Sequence, residues 1–256
     1  MERVRTVKVR NVIIGEGIPK ICVPIIGKDK DHILAHAFRL QHAPIDLVEW
    51  RADFFNEVDS FQAVKQMLKE LRDILGDIPL LFTFRTKKEG GEREVSIEDY
   101  KTLNIYVAKT GYADLIDVEI FTGDQDVKEI ITLAHQNKTY VIGSNHDFQK
   151  TPTKKEMIKR LLKMQELDVD IPKIAVMPNN KKDVLNLLEA TVEMTENFSD
   201  RPIITMSMKD LGAISRVLGS FTGSAVTFAA VEQSSAPGQL NVEEVRVALD
   251  ILQMKD

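Results

Sequence analysis

The sequence predicts a (β/α)8 barrel, eight parallel strands ringed by helices, on three observations. Eight short apolar runs bounded by turn residues start roughly 20 to 35 residues apart, the length of one strand-plus-helix unit. The stretches between them include segments with helical periodicity. No Pro/Gly/Ser linker or shift in composition interrupts the series from residue 20 onward, so one domain over residues 1–256 is expected. An open doubly wound sheet usually has fewer strands and a glycine-rich first turn, and the GKDKD that follows the first run has no G-x-G-x-x-G.

Taken in order, TVKVRNVIIGEG near the N-terminus alternates like a short hairpin, placed to close the bottom of the barrel. The strands are KICVPIIG (20–27), IDLVEWRAD (45–53), PLLFTFRT (79–86), ADLIDVEI (113–120), TYVIGSNHDF (139–148), IPKIAVMP (171–178), PIITMSM (202–208) and AVTFAAV (225–231). Among the helices, SFQAVKQMLKELRDIL (60–75) puts Phe61, Val64, Met67, Leu68, Leu71 and Leu75 on one face. TPTKKEMIKRLLKMQEL opens with the capping-box pattern Thr153-x-x-Glu156, and LNVEEVRVALDIL with Asn241 as an N-cap.

Composition is that of an ordinary globular chain, 43% hydrophobic and 29% charged. No window approaches the roughly 18 apolar residues of a membrane span, and the N-terminal residues lack the apolar core of a secretory signal, so a cytoplasmic protein is expected. Cys22 is the single cysteine, which excludes an internal disulfide, and KICVPII makes it a small core residue. A net charge of −5 with both signs interspersed argues against nucleic acid or an anionic membrane as partner.

Active sites of this architecture lie at the C-terminal ends of the strands, and polar residues collect there. Glu49 and Arg51 flank Trp50 at the end of the second strand; Arg85 ends the third, which runs into TKKEGGERE with Glu89. Asp117 and Glu119 share a face of the fourth strand, Ser144, Asn145, His146 and Asp147 end the fifth, Lys173 sits in the sixth, and Arg216 follows the seventh. Each has a plain structural reading: an ion-pair network for Glu49, Arg51, Asp117, Glu119 and Arg85, or a hydrogen-bonded core position for His146. Their gathering at one end of different strands favours a site. His32 and His36, four apart on the first helix, lack a third metal ligand nearby and read as a solvated face. GSFTGS (219–224) is either a phosphate cradle or a plain loop.

Lys173 is the unusual residue, an ammonium in a run of core-strand residues. A lysine with its ordinary pKa of about 10.4 is rarely a free amine at neutral pH. Burial beside arginines that never lose their charge would favour the neutral amine that a Schiff base requires. The alternative is a structural pair with a buried carboxylate such as Glu119. If an imine forms, it acidifies the adjacent C–H, and His146 one strand away suits removal and return of a proton; arginine forks suit a substrate carboxylate. Elimination and retro-aldol chemistry both fit.

NVIIGEGIPKICV, EWRADFF (49–55), FTFRTKKEGG (82–91), SNHDFQKTP (144–152), IPKIAVMP, ITMSMKDLGAISR (204–216) and SAPGQ (235–239) together resemble the type I 3-dehydroquinate dehydratase family over essentially the full chain. That resemblance implies a homodimeric barrel of the shikimate pathway that converts 3-dehydroquinate to 3-dehydroshikimate and water with no metal and no cofactor. It implies Lys173 as the Schiff-base lysine, His146 as proton shuttle and Glu89 as the group that orients it. Glu49, Trp50, Arg51, Arg85, Arg216, Ser235 and Gln239 then line the substrate, the last two from a closing loop. One departure is Pro24, where the family often has a serine able to touch substrate; a weaker contact is expected there. The competing functions are a class I aldolase and a non-catalytic sugar-acid binding barrel in which Lys173 is only an ion-pair partner.

Overall fold

The computed structural model describes residues 5–231 and 238–253. Two short strands, β1 (Val7–Val9) and β2 (Val12–Ile14), pair antiparallel around a two-residue turn in which Arg10 takes φ 53°. Eight strands follow: β3 (Lys20–Ile25), β4 (Leu47–Arg51), β5 (Leu80–Thr83), β6 (Leu115–Glu119), β7 (Tyr140–Asp147), β8 (Ile171–Val176), β9 (Ile204–Ser207) and β10 (Val226–Phe228). They run parallel in the order β10-β3-β4-β5-β6-β7-β8-β9. A bridge between Ile203 and Ser224 joins the two ends into a nearly closed barrel, with Ala225 N donating to Ile203 O at 2.8 Å. Each of the eight predicted runs contains one of these strands.

The helices between them are α1 (Lys30–Leu40), α2 (Phe61–Leu75), α3 (Ile97–Thr110), α4 (Asp124–Gln136), α5 (Lys154–Glu166), α6 (Lys181–Asn197), the single turn α7 (Gly219–Thr222) and α8 (Val242–Ile251). Their starts are chemical. Ser60 Oγ accepts from Ala63 N at 3.3 Å, Thr153 Oγ1 from Glu156 N at 3.3 Å and Asn241 Oδ1 from Glu243 N at 2.8 Å, each filling an otherwise orphaned donor. The predicted face of α2 is buried at Val64, Met67, Leu68, Leu71 and Leu75, with Phe61 at its edge only half-buried.

Period-two alternation sorts the strand residues into two cores. Outward residues pack against the helices. Inward residues fill the barrel, where Cys22, Leu47, Leu81, Leu115, Ile142, Ile171, Ile204 and Val226, one from each strand, form an apolar floor. Val7, Val9 and Ile14 of the hairpin pack on that floor, so the hairpin plugs the N-terminal end of the barrel as expected.

The same end carries a repeated device. Asp46, Asp114 and Asp170, each just before a strand, accept from the backbone N–H of a residue on the preceding barrel strand, Ile21, Leu80 and Val141, at 2.7, 2.8 and 2.7 Å. Each also takes a basic side chain from a helix: Arg246, Arg72 and His135. Asp114 additionally receives Arg10 of the hairpin at 2.7 Å. Asp114→Ala orphans the Leu80 donor and takes one carboxylate from each of Arg72 and Arg10, which keep other partners. It is expected to lower stability by about 2 to 3 kcal/mol in urea unfolding, with little change in the activity of the folded fraction.

Two surface expectations change. His32 is exposed in the first turn of α1 and bonds the cap residue Asp29 at 2.7 Å, but His36 belongs to the buried stripe Ile33, His36, Ala37 and Leu40. GSFTGS forms α7 and the closure segment, where Ser224 Oγ accepts from Thr205 N at 3.0 Å. No helix among the described residues is long and apolar enough to cross a membrane.

Candidate active site

Above the floor the barrel interior turns polar. Glu49, Thr83, Asp117, Ser144 and Lys173 point inward two residues beyond the floor, and Arg51, Arg85, Glu119 and His146 one step further. Strand pairing sets Ser144 beside Lys173 and His146 beside Ala175, so the histidine stands one level nearer the mouth than the lysine on the neighbouring strand.

Lys173 Nζ is buried, lies 3.0 Å from Asp117 Oδ2 and sits 4.4 Å from the centre of the Phe228 ring. Its carboxylate partner is therefore Asp117, whereas Glu119 accepts from Arg85, Thr86 N and Thr86 Oγ1 at 3.0, 2.8 and 2.7 Å. Arg85 bridges the two acids, donating to Asp117 Oδ1 at 2.7 Å and to Ser144 Oγ at 3.0 Å. Burial alone would raise the Asp117 carboxyl, but Arg85 and Lys173 hold it well below the usual carboxylate range. The expected crowd of bare cations around the lysine is thus offset by carboxylates. Arg51 likewise forks onto Asp53 through two contacts of 2.9 Å, and Thr83 donates to Glu49 Oε1 at 2.8 Å.

Glu89 and His146 form a second unit. Glu89 sits in the turn Lys87–Glu89 after β5, and its Oε2 meets His146 Nδ1 at 2.9 Å and accepts from His146 N at 2.8 Å. Gly90, at φ 86°, closes that turn; a Cβ there would lie 2.3 Å from the Phe148 ring, which stacks on His146 with centroids 6.5 Å apart. Burial, then Arg85 and Lys173, hold the imidazole well below its ordinary pKa, so it is uncharged at neutral pH. With Nδ1 engaged by Glu89, Nε2 is the atom left for chemistry.

Burial pushes the Glu89 carboxyl up to about 8 from 4.5, against the lowering influence of Arg85. A carboxyl raised in the folded state is a liability once the unfolded chain ionises: stability is intact below about pH 4.5 and lost as pH rises toward 8. Glu89→Gln has no proton to lose. Relative to wild type it is expected to gain about 2 to 4 kcal/mol between pH 5 and pH 9, read as the difference in urea-unfolding free energies, while losing activity.

Lys173, His146, Glu89, Glu49, Arg51, Arg85, Arg216 and Gln239 all border one cavity of about 120 Å³, with Phe148, Met206, Met208 and Phe228. A larger open cleft of about 780 Å³ shares Glu89 and His146 but runs outward past Ser96, Ile97 and Arg160 without reaching Lys173. The chemistry converges in the smaller space. Arg216, 2% exposed, donates to Phe228 O at 3.2 Å, and burial pushes its guanidinium down to about 10, still charged at neutral pH.

Trp50 does not belong to this group. It is fully buried on the opposite face of β4, edge-on to Phe55 and Phe82 at 5.8 and 5.7 Å in the layer between strands and helices. The alternation that turns Glu49 and Arg51 inward must turn Trp50 outward. Ser235 lies outside the described residues, while Gly238, at φ 75° with a Cβ position 2.2 Å from Lys209 O, allows the close approach that delivers Gln239. Pro24 points inward beside Glu49, and the pairing between β3 and β10 ends just before it, at Cys22 and Phe228. Sequence reasoning missed Asp53, Phe148 and Phe228. Asp53 had a signal, two residues after Arg51, whereas an aromatic in an apolar run reads only as core.

Residues 21–256 match the family model described as type I 3-dehydroquinase. A 3-dehydroquinate dehydratase of Clostridioides difficile is 54% identical over 97% of both chains. Among solved structures, type I 3-dehydroquinate dehydratase from Clostridium difficile with covalent modified comenic acid superposes with TM-score 0.94 at 54% identity, covering 97% of each chain. The 3-dehydroquinate dehydratase of Geobacillus kaustophilus gives 0.94 at 38% identity, covering 97% of this chain and 96% of that one. A barrel whose mouth unites an inward lysine with a carboxylate-held imidazole, matched at this identity over nearly its whole length, belongs to the type I 3-dehydroquinase family.

Proposed function

We propose that the chain dehydrates 3-dehydroquinate to 3-dehydroshikimate and water, a step of the shikimate pathway toward aromatic amino acids, through a Schiff base on Lys173 with His146 moving the protons. The observation that carries this reading is the meeting in one buried mouth of Lys173, its partner Asp117 and the uncharged His146 on Glu89.

The Lys173 ammonium gives up a proton to water, the amine adds to the ring ketone, and the adduct's hydroxyl regains a proton and leaves as water, giving a protonated imine. Asp117, negative and 3.0 Å from Nζ, faces the same positive nitrogen before and after that step. The imine acidifies the neighbouring C–H; His146 Nε2 takes that proton and the freed electron pair forms an enamine. The pair then returns to expel the β-hydroxyl, which leaves as water with the proton His146 had taken. Water finally adds to the conjugated imine, releasing product and the lysine amine. Substrate carboxylate and hydroxyls fall to Arg51, Arg216, Glu49, Gln239 and Ser235, roles taken from the family resemblance. Arg85, anchored on Asp117 and Glu119, fixes those acids in place. The same resemblance implies a homodimer.

Incubation with 3-dehydroquinate and borohydride is expected to place a reduced adduct on the Lys173 peptide by mass spectrometry, and incubation without borohydride to raise ultraviolet absorbance from conjugated product. An adduct without that absorbance points to aldolase chemistry; the absence of both leaves a binding protein.

A further inference from the structure

We infer that Arg160 and Asn145 are positioning residues that aim an amide donor at one oxygen of the Glu89 carboxylate and leave the other oxygen to accept from His146. The inference deepens the proposed dehydration and rests on it.

Arg160 projects from α5. Its Nη1 donates to Asn145 Oδ1 at 2.9 Å, and Asn145 Nδ2 donates to Glu89 Oε1 at 3.1 Å. A guanidinium offers donors only, so Asn145 must turn its carbonyl toward Arg160 and its NH2 toward Glu89. Oε1 is thereby held as the acceptor of that amide. Oε2 is left to accept from His146 N at 2.8 Å and from Nδ1 at 2.9 Å, the arrangement that keeps the ring proton on Nδ1 and frees Nε2 as the base. The orientation of an amide is otherwise close to two-fold degenerate, and Arg160 removes that freedom.

Arg160 is itself held: Nε donates to Glu156 Oε1 at 3.1 Å on the same helix, Nη1 lies 3.7 Å from Asp147 Oδ2, and the guanidinium rests over Phe121 at 5.8 Å. The other charged groups facing Glu89 are Arg85, 3.8 Å away at the end of the preceding strand, and Glu119 on β6, whose charge opposes ionisation of Glu89. Lys87 and Lys88, on the same turn as Glu89, are exposed. Among these, Asn145 supplies a donor that favours the ionised carboxylate, as does the backbone N–H of His146.

The test is the pH profile of kcat for wild type, Arg160→Met, Arg160→Lys and Asn145→Ala, with 3-dehydroquinate as substrate. Loss of the Asn145 donor, or of its fixed orientation, makes Glu89 keep its proton to higher pH. The limb that requires proton release is expected to move alkaline by roughly half to one pH unit in Arg160→Met and Asn145→Ala. Their kcat falls about tenfold at neutral pH with KM nearly unchanged, the pattern of a group felt in the chemical step and not in binding. Arg160→Lys, which keeps a donor at that end, moves the limb less. A limb superimposable on wild type in both Arg160→Met and Asn145→Ala, whatever their kcat, overturns the inference. Wild-type enzyme that does not turn over 3-dehydroquinate instead overturns the function on which it rests.

Discussion

Lys173→Ala is expected to abolish dehydration, lowering turnover on the order of 10^5-fold, the scale seen when a nucleophile that acts as a unit with its proton-transfer partner is removed. No other described amine reaches the cavity, and the arginines beside it do not deprotonate to take its place. Binding should survive, because the groups assigned to the substrate carboxylate and hydroxyls are untouched; calorimetric titration with 3-dehydroquinate checks this. The stability cost is smaller than for a lone buried pair. Asp117 loses one cation but keeps Arg85 at 2.7 Å and the Ser144 hydroxyl on its Oδ1, so about 1 to 3 kcal/mol is expected. Lys173→Met, which keeps an unbranched side chain of similar length but no cation, separates packing from chemistry: both variants should be inactive, and the methionine variant the more stable of the two. Turnover in either within tenfold of wild type removes the Schiff base from the mechanism.

That the lysine is both buried and paired bears on how much the sequence disclosed. Strand positions were legible because a barrel strand buried on both faces reads as a continuous apolar run, and the few polar residues that interrupt such runs stand out against them. Glu49, Asp117, Lys173 and His146 were found that way, and parity alone put Glu49 and Arg51 on one face. The same parity excludes Trp50 from the mouth, although its place between two site residues suggested membership. Pairing was not legible. Asp117 and Glu119 are equivalent in the sequence, two apart on one face, and which of them meets Lys173 depends on the stagger of strands β5 to β8, a property of the closed barrel. The depth of Phe228 and the reach of Arg160 from α5 to Asn145 depend likewise on packing between elements distant in the chain.

His146→Ala is expected to separate imine formation from everything after it. Lys173 remains, so borohydride should still trap an adduct carrying the mass of the substrate, and adduct should accumulate because the C–H proton has no acceptor. Turnover should fall by about 10^3 to 10^4-fold, toward the upper range for a single acid–base group, since one imidazole both takes the C–H proton and supplies the one that leaves with the hydroxyl. Asp117 cannot stand in for it: held well below the usual carboxylate range by Arg85 and Lys173, it is too weak a base. Glu89 borders the same cavity but is a poor substitute, because Oε2 still accepts from the backbone N–H of residue 146 and Oε1 from Asn145. His146→Ala therefore differs from Glu89→Gln, which keeps a base of altered strength and should retain more turnover. If the His146 variant forms no adduct while remaining folded, the imidazole is needed to strip the proton from the lysine ammonium as well. If it instead turns over within tenfold of wild type, the shuttle lies elsewhere in the mouth.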